Sequence, residues 1–354
     1  MGKVLMKGNE AIGEAAIRAG CLNYFAYPIT PQSEVAEYLS RRMPEVGGMF
    51  LQGESEVAVS YMIFGATACG SRAFTTSSSP GISLMSEGIS YMAAAQCPAV
   101  IVNIMRGGPG LGGILPAQAD YFQATKGGGH GDYRLIVLAP ASIQEAVEMV
   151  MTAFPLAEKY RNPVMILGDG MIGQMMEPVE FPDHLKTEPL NNEKWATSGM
   201  DTRKSDKNNI IKTLFLESKP LEDLNISLKA KFDRIRREEV RYESYNTDSD
   251  YKTLIVSYGT MSRVCRTVVD NLKEEGIEVG MIRPRTLFPF PGKAIRQAAE
   301  KDTCKNVLSV EMSMGQMVED VQLCVQGKRP VRWYGRCGGD IPTPEEIIDV
   351  IKSL

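Results

Sequence analysis

The sequence contains no CxxC pair, and its seven cysteines (Cys21, Cys69, Cys97, Cys265, Cys304, Cys324 and Cys337) are scattered over 354 residues. An odd, dispersed set excludes a disulfide framework as the source of stability. It also excludes iron–sulfur ligation within this chain, because a cluster needs thiolates grouped at short spacing. The cysteines read as small core hydrophobes, so any electron chemistry would need metal centres on another chain. No apolar run approaches the ~18 residues needed to cross a membrane. The opening Met1-Gly-Lys-Val-Leu-Met has no secretory apolar core, and Met6 breaks the myristoylation pattern. A net charge of -4 argues against a nucleic-acid partner, which a basic chain would suit. The chain is therefore expected in the cytoplasm, with neither membrane nor nucleic acid as partner.

What is present is ordinary globular material: 44% hydrophobic and 23% charged residues, enough for sizeable cores and, by length, about two domains. Residues 1–181 alternate short apolar runs with helical patterns. Glu10–Ala19 reads as a helix stopped by Gly20. Asn23–Ala26, Met49–Gln52, Ala73–Thr76 and Val100–Met105 read as strands. Thr30-Pro31 reads as a helix cap followed by Pro at the first helical position, opening a helix to Arg42. Glu56–Cys69, apolar on most faces, reads as a buried helix, and Leu84–Gln96 as another. Leu135–Leu138, Gln144–Lys159 and Val164–Leu167 complete a strand–helix–strand unit. This alternation predicts an α/β fold built on a doubly wound parallel sheet. Residues 182–250 turn polar. Their charge-rich stretch Lys229–Glu243 interleaves both signs, which suits a solvated linking helix better than a basic contact surface. Residues 251–354 resume the alternation, with strands at Leu254–Ser257, Val279–Ile282, Val307–Val310 and Val331–Trp333. A capping box at Thr343-Pro-Glu-Glu opens a last helix.

Two motif matches carry little. Gly108-x-Gly110-x-x-Gly113 follows a strand but is continued by Ile114-Leu-Pro rather than by a helix, so it reads as a mobile glycine loop, not a dinucleotide fingerprint. Gly168-Asp169-Gly170, followed by Asn191-Asn192, resembles the thiamine diphosphate and magnesium motif at too short a spacing and across Gly173 and Pro178. A strand-terminal turn is the preferred reading, and no residue of this chain is assigned to a metal.

The informative set lies at predicted strand ends, where open α/β sheets bind ligands. Tyr27-Pro-Ile-Thr30-Pro, Gly53-Glu54-Ser-Glu56 and Arg106-Gly-Gly-Pro-Gly would bring a hydroxyl, a carboxyl and a guanidinium to one rim. Singly, each has a structural explanation: Thr30 as a cap, Glu56 as a favourable charge at a helix N-terminus, Arg106 as the partner of a surface acid. Their joint placement is not expected of purely structural residues.

YPITP, SEVA and NIMRGGPG together resemble the pyrimidine-binding subunit of 2-oxoacid:ferredoxin oxidoreductases, and the resemblance extends over nearly the whole chain. Glu311-Met-Ser-Met-Gly-Gln-Met and Gly335-Arg-Cys-Gly-Gly-Asp-Ile-Pro-Thr-Pro-Glu-Glu resemble that family's second domain, of the transketolase C-terminal type. The opening Lys3-Val-Leu-Met-Lys-Gly-Asn-Glu-Ala-Ile-Gly-Glu is most similar to the 2-oxoisovalerate branch. The implied organisation is a pyrimidine-binding domain at 1–181, a polar, charged linking segment at 182–250, and a smaller transketolase C-terminal-like α/β domain at 251–354.

The resemblance also implies roles. Glu56 corresponds to the glutamate that hydrogen-bonds N1′ of the aminopyrimidine of thiamine diphosphate. Thr30 and Arg106 correspond to positions that hold the substrate carboxylate, a geometry Arg can meet bidentately. Glu54 is expected to point away, and His130, one of only two histidines, is open between substrate contact and structural turn. The family reaction converts a 2-oxoacid and coenzyme A to acyl-CoA and CO2 while reducing ferredoxin. Its diphosphate and Mg2+ are held by a separate β-type subunit, so thiamine diphosphate is shared. Iron–sulfur clusters lie on a ferredoxin-like subunit, and a γ-type subunit completes the assembly. Two other readings stand beside this one: a β-type subunit of a lipoamide-linked 2-oxoacid dehydrogenase, and a non-catalytic scaffold.

Overall fold

The computed structural model describes residues 2–181, 192, 194–197 and 209–354. Its first part runs β1 (Val4–Lys7), α1 (Gly8–Arg18), β2 (Asn23–Ala26), α2 (Ser33–Glu45), β3 (Met49–Gln52), α3 (Glu56–Ala68), β4 (Phe74–Ser77), α4 (Ser79–Ala94), β5 (Val100–Met105), α5 (Tyr121–Lys126), β6 (Ile136–Leu138), α6 (Ile143–Tyr160), β7 (Val164–Asp169), α7 (Gly170–Gln174) and β8 (Met176–Val179). Its second part runs α8 (Ser218–Glu238), β9 (Tyr242–Tyr245), β10 (Thr253–Val256), α9 (Gly259–Glu274), β11 (Val279–Pro284), β12 (Thr286–Phe288), α10 (Gly292–Ala299), β13 (Asn306–Glu311), α11 (Met317–Val325), β14 (Val331–Gly335) and α12 (Pro344–Lys352).

The expected α/β architecture is present. A seven-stranded sheet has the order β12-β6-β7-β5-β4-β2-β3, parallel throughout except for β12, which pairs antiparallel with β6. β4, β5 and β7 are buried along their whole length, as strands covered on both faces must be, and this explains the apolar runs of β5 and β7. The chain leaves β2 toward the β3 edge and then returns to β4 on the other flank of β2. The order reverses there, and the carboxyl ends on either side of such a reversal leave a crevice. A second sheet, β14-β13-β10-β11-β9, is parallel apart from its edge strand β9. β9 lies inside the segment read as linking, and α8 forms most of the charged stretch of that segment. β1 and β8 make a separate antiparallel pair.

The larger hydrophobic core runs across both parts, and the rings of Tyr121, Tyr258 and Phe290 meet where they join. Local signals explain several boundaries. Ser55 Oγ accepts the Ala58 N–H at 3.2 Å to start α3, and Thr343 with Glu346 forms the expected capping box on α12. One boundary differs. Thr30 does not cap α2, and Pro31 is not its first residue; α2 begins at Ser33 without a side-chain cap. The Gln32 N–H donates to Ile29 O at 3.1 Å, closing a turn instead. The Pro31 carbonyl is taken by Asn9 Nδ2 and Gln174 Nε2 at 2.7 and 2.9 Å. These bonds keep Thr30 out of the helix, exposed at the sheet rim. α4 starts at Ser79 rather than Leu84, because Pro80 and Gly81 lie in its first turn, where a missing N–H costs nothing.

Candidate active site

The crevice between β2 and β4 collects the predicted residues. Glu56, the first residue of α3, is buried, and its carboxylate hydrogen-bonds to nothing among the described residues. Glu54 is exposed and turned to solvent. Across from Glu56, at the end of β4, the hydroxyls of Ser77 and Ser78 are buried without a partner. Gly81 lies between the two groups: a Cβ there would overlap Ser77 Oγ and stand 2.9 Å from Glu56 Oε1. A bare glycine is therefore what lets strand end and carboxylate approach. Three buried groups left with spare hydrogen-bonding capacity at one rim are a polar receptor awaiting a polar ligand. They suit the nitrogen-rich edge of an aminopyrimidine.

Arg106, at the end of β5, is 7% exposed. It pairs with no acid among the described residues, contrary to the structural explanation open to it. Its Nη1 donates to Thr30 O at 2.9 Å and its Nη2 to Leu111 O at 3.0 Å, while Nε is buried and unpartnered. Arg106 and Thr30 are thus joined directly, through the Thr30 carbonyl rather than its hydroxyl. A buried guanidinium satisfied only by neutral carbonyls retains its charge for an anion. The glycine loop after Arg106 is closed at its neck by Gly107 N–H to Leu115 O at 3.0 Å, and its residues Leu111, Ile114 and Leu115 are exposed. Thr30, Ile114 and Leu115 also border a cleft of about 740 Å³ together with Lys7, Met171 and Gln174.

The remaining motif residues lie elsewhere. Asp169 caps α7, accepting the N–H groups of Met171 and Ile172 at 2.9 and 3.3 Å, so the strand-terminal turn is its structural role. Burial raises its proton affinity against those bonds. Asn191 lies outside the described residues, and Asn192 donates to Gly70 O. His130 is exposed and edge-on to Tyr91 near the far end of α4. That is about 18 Å along the helix from Ser79 at ~1.5 Å per residue. It is not part of the rim.

Sequence reasoning missed Ser77, Ser78, Ser79 and Asp120. Asp120 Oδ2 accepts Ser79 Oγ at 2.6 Å and Asn103 Nδ2 at 2.8 Å, and burial raises the proton affinity of its carboxyl. The signal available was the run Ser77-Ser-Ser-Pro-Gly, hydroxyls at a strand end leading into a helix-opening Pro.

Residues 14–219 match the family model described as "Pyruvate flavodoxin/ferredoxin oxidoreductase, thiamine diP-bdg", and residues 252–347 match "Pyruvate:ferredoxin oxidoreductase core domain II". The chain belongs to the 2-oxoacid:ferredoxin oxidoreductase family. It is 47% identical over 355 residues to the ketoisovalerate oxidoreductase subunit VorB of Methanothermobacter thermautotrophicus, covering 100% of this chain and 98% of that protein. It is 36% identical to the 2-oxoglutarate synthase subunit KorA of Archaeoglobus fulgidus, covering 99% of this chain and 98% of that one. Among solved structures, a 2-oxoglutarate:ferredoxin oxidoreductase from Magnetococcus marinus, with 2-oxoglutarate, coenzyme A and succinyl-CoA bound, matches with a TM-score of 0.87 and 26% identity. That match covers 99% of this chain, which spans 65% of the solved one. A split-gene transketolase with a TM-score of 0.60 and 14% identity shares the fold. The 2-oxoacid:ferredoxin oxidoreductases are thiamine-diphosphate-dependent enzymes, and membership sets the lipoamide-linked alternative aside. Among the described residues no helix is long and apolar enough to cross a membrane.

Proposed function

We propose that this chain is the pyrimidine-binding subunit of a cytoplasmic 2-oxoisovalerate:ferredoxin oxidoreductase, turning the 2-oxoacid and coenzyme A into acyl-CoA and CO2 and passing the electrons to ferredoxin. The observation that carries the reading is the rim itself, where the buried carboxylate of Glu56 and the buried guanidinium of Arg106 both lack an ionic partner among the described residues. Thiamine diphosphate, when bound, supplies the electron sink for decarboxylation. Glu56 would hold and exchange a proton at N1′ of its aminopyrimidine, with Ser77 and Ser78 as further hydrogen-bonding groups. A carboxyl without another partner is suited to this, because it can take and return a proton at a nitrogen within hydrogen-bond reach. Arg106, set by Thr30 and Leu111, would receive the substrate carboxylate.

The diphosphate, its Mg2+ and the iron–sulfur clusters fall to partner subunits of β-type and ferredoxin-like kind, with a γ-type subunit alongside. Asp169, the acid of the magnesium-like motif, instead caps α7 through its Oδ1. Exposed Val57 and Tyr61, one turn apart on the helix that Glu56 opens, offer an apolar face beside the site for such a partner. The branched-chain substrate is favoured by the 47% identity to VorB against 36% to KorA. The test is to purify the native complex and measure viologen reduction with 2-oxoisovalerate, pyruvate and 2-oxoglutarate in the presence of coenzyme A. The branched substrate should give the highest kcat/KM. Preference for 2-oxoglutarate, or reduction of lipoamide in place of viologen, would overturn the assignment.

A further inference from the structure

The second part of the chain is fastened to the segment that follows the glycine loop. Gln118, wholly buried, donates its backbone N–H to Met312 O at 2.8 Å and its Nε2 to Tyr258 O at 2.9 Å. Its Oε1 accepts the Met312 N–H at 3.0 Å. Gln316 grips the same segment from the far side, donating to Ala119 O at 2.6 Å and accepting the Phe122 N–H at 2.8 Å. Asp120 sits between these clamps, so its backbone is held from both sides.

Its side chain turns the other way, into the first sheet. Asp120 Oδ2 takes the Ser79 hydroxyl proton at 2.6 Å, while the Arg106 carbonyl lies farther from that hydroxyl, at 3.3 Å. With its proton committed, Ser79 Oγ has a lone pair free and accepts the Arg106 backbone N–H at 3.0 Å. The carboxylate thus orients a hydroxyl, and the hydroxyl fixes the residue that ends β5. Among the described residues no cation pairs with Asp120: its side-chain partners are the neutral Ser79 and Asn103. Burial is unfavourable for its charged form, and the two hydrogen bonds from Ser79 and Asn103 oppose that cost.

We infer that Asp120 is a positioning residue: clamped by the second domain, it holds Ser79, and Ser79 holds Arg106 where its guanidinium meets the substrate carboxylate. The inference rests on the reading of Arg106 given above. It makes the second domain a support for substrate alignment, acting through the segment that carries Asp120. Both groups act by accepting hydrogen bonds, and the charge of Asp120 is incidental.

The experiment is a variant series in the reconstituted complex, reading kcat, KM for the 2-oxoacid, the thermal midpoint, and deuterium exchange at C2 of the thiazolium without substrate. Ser79→Ala and Asp120→Ala should each lower kcat/KM roughly tenfold, mostly through KM, as expected for one lost orienting hydrogen bond. Exchange at C2 should stay at the wild-type rate. Asp120→Asn should stay within about threefold of wild type, because one amide oxygen can still accept from both Ser79 and Asn103. In an Arg106→Ala background, Asp120→Ala should cost no further factor beyond about twofold, since residues acting through one another are non-additive. Ser79→Ala carries the same comparison where Asp120→Ala folds poorly. Additive losses would overturn the inference, as would an Asp120→Asn variant as impaired as Asp120→Ala, which would mark a proton or charge role. Near-normal kcat/KM in Arg106→Ala alone would instead overturn the underlying reading of Arg106.

Discussion

Replacing Arg106 by Met separates function from stability more sharply than any other change at the rim. Met follows the stem of Arg as far as the Nε position, so it fills most of the volume with apolar atoms. In the wild-type chain the guanidinium is 7% exposed, bonded to two neutral carbonyls, with Nε unsatisfied. Burying a cation without an anion is costly, and exchanging such a group for an apolar one of equal size is often neutral or stabilising. Against that gain stand the Thr30 and Leu111 carbonyls, which would lose their donors at about 1–3 kcal/mol each where water cannot reach them. Thr30 and Leu111 are exposed residues, so water can replace the lost donors and the thermal midpoint should move little. Catalysis should behave differently. Loss of a charge-assisted bond to the substrate carboxylate costs about 1.5–3 kcal/mol, which lowers kcat/KM by roughly ten- to over a hundred-fold. Arg106→Lys should recover part of this, because an ammonium cannot make the two-pronged contact. The assay is steady-state viologen reduction with several 2-oxoacids, paired with thermal melts of the same complexes. A variant that melts normally and retains near-normal kcat/KM would refute the reasoning and leave the substrate carboxylate to another residue. A variant that melts far lower would show that the guanidinium is structural.

Three further outcomes follow. Glu56→Gln should assemble normally but lose about 10²–10⁴-fold in turnover and slow deuterium exchange at C2, whereas Glu54→Gln, altering an exposed side chain, should do neither. The isolated chain should be folded and catalytically silent, with calorimetry in Mg2+ detecting weak or no binding of thiamine diphosphate; micromolar affinity would contradict a shared site. Lys231 on α8 donates to Arg161 O at 3.0 Å, and burial, aided by the Arg161 charge, lowers its pKa to about 7. Its folded value is depressed, so the unfolded chain binds more protons between about 7 and the ordinary Lys value near 10.5. Stability should therefore rise with pH across that window, by at most about 1.4 kcal/mol per unit, and Lys231→Met should flatten the rise in thermal melts taken from pH 6.5 to 9.5.

Much of the fold was legible because buried parallel strands announce themselves: β2 and β5 fall on the very residues whose apolar runs predicted them. Glu56 and Arg106 were legible for a related reason, since each sits where a strand pattern stops, and chemistry collects at such ends. Thr30 was read at the right place with the wrong partner, because its side chain favours caps while the competing bonds to the Pro31 carbonyl come from Asn9 and Gln174, far away in sequence. Ser79 and Asp120 were not legible. Pro80-Gly81 reads as a loop until Glu56 and Ser77 are seen to need the missing Cβ. Asp120's side chain bonds only to residues distant in sequence, Ser79 and Asn103, so no local period marks its role. β12 is only three residues long, too short for any pattern, and its pairing with β6 joins parts of the chain that sequence alone keeps apart.

That last pairing governs how the molecule can be divided. β12 belongs by sequence to the second half yet closes the outer margin of the first sheet, and both β6 and β12 are buried throughout. Severing the chain between the two halves would strip β6 of its neighbour and present an apolar strand with unpaired amides and carbonyls to solvent, the arrangement that recruits other chains into aggregates. The halves are therefore poor candidates for separate expression or for exchange between relatives at the obvious polar seam. A fragment meant to stand alone would have to carry the chain through Phe288, or have its β6 margin rebuilt with charge. Evolution faces the same constraint: a gene split at that seam would have to keep its products together from synthesis onward.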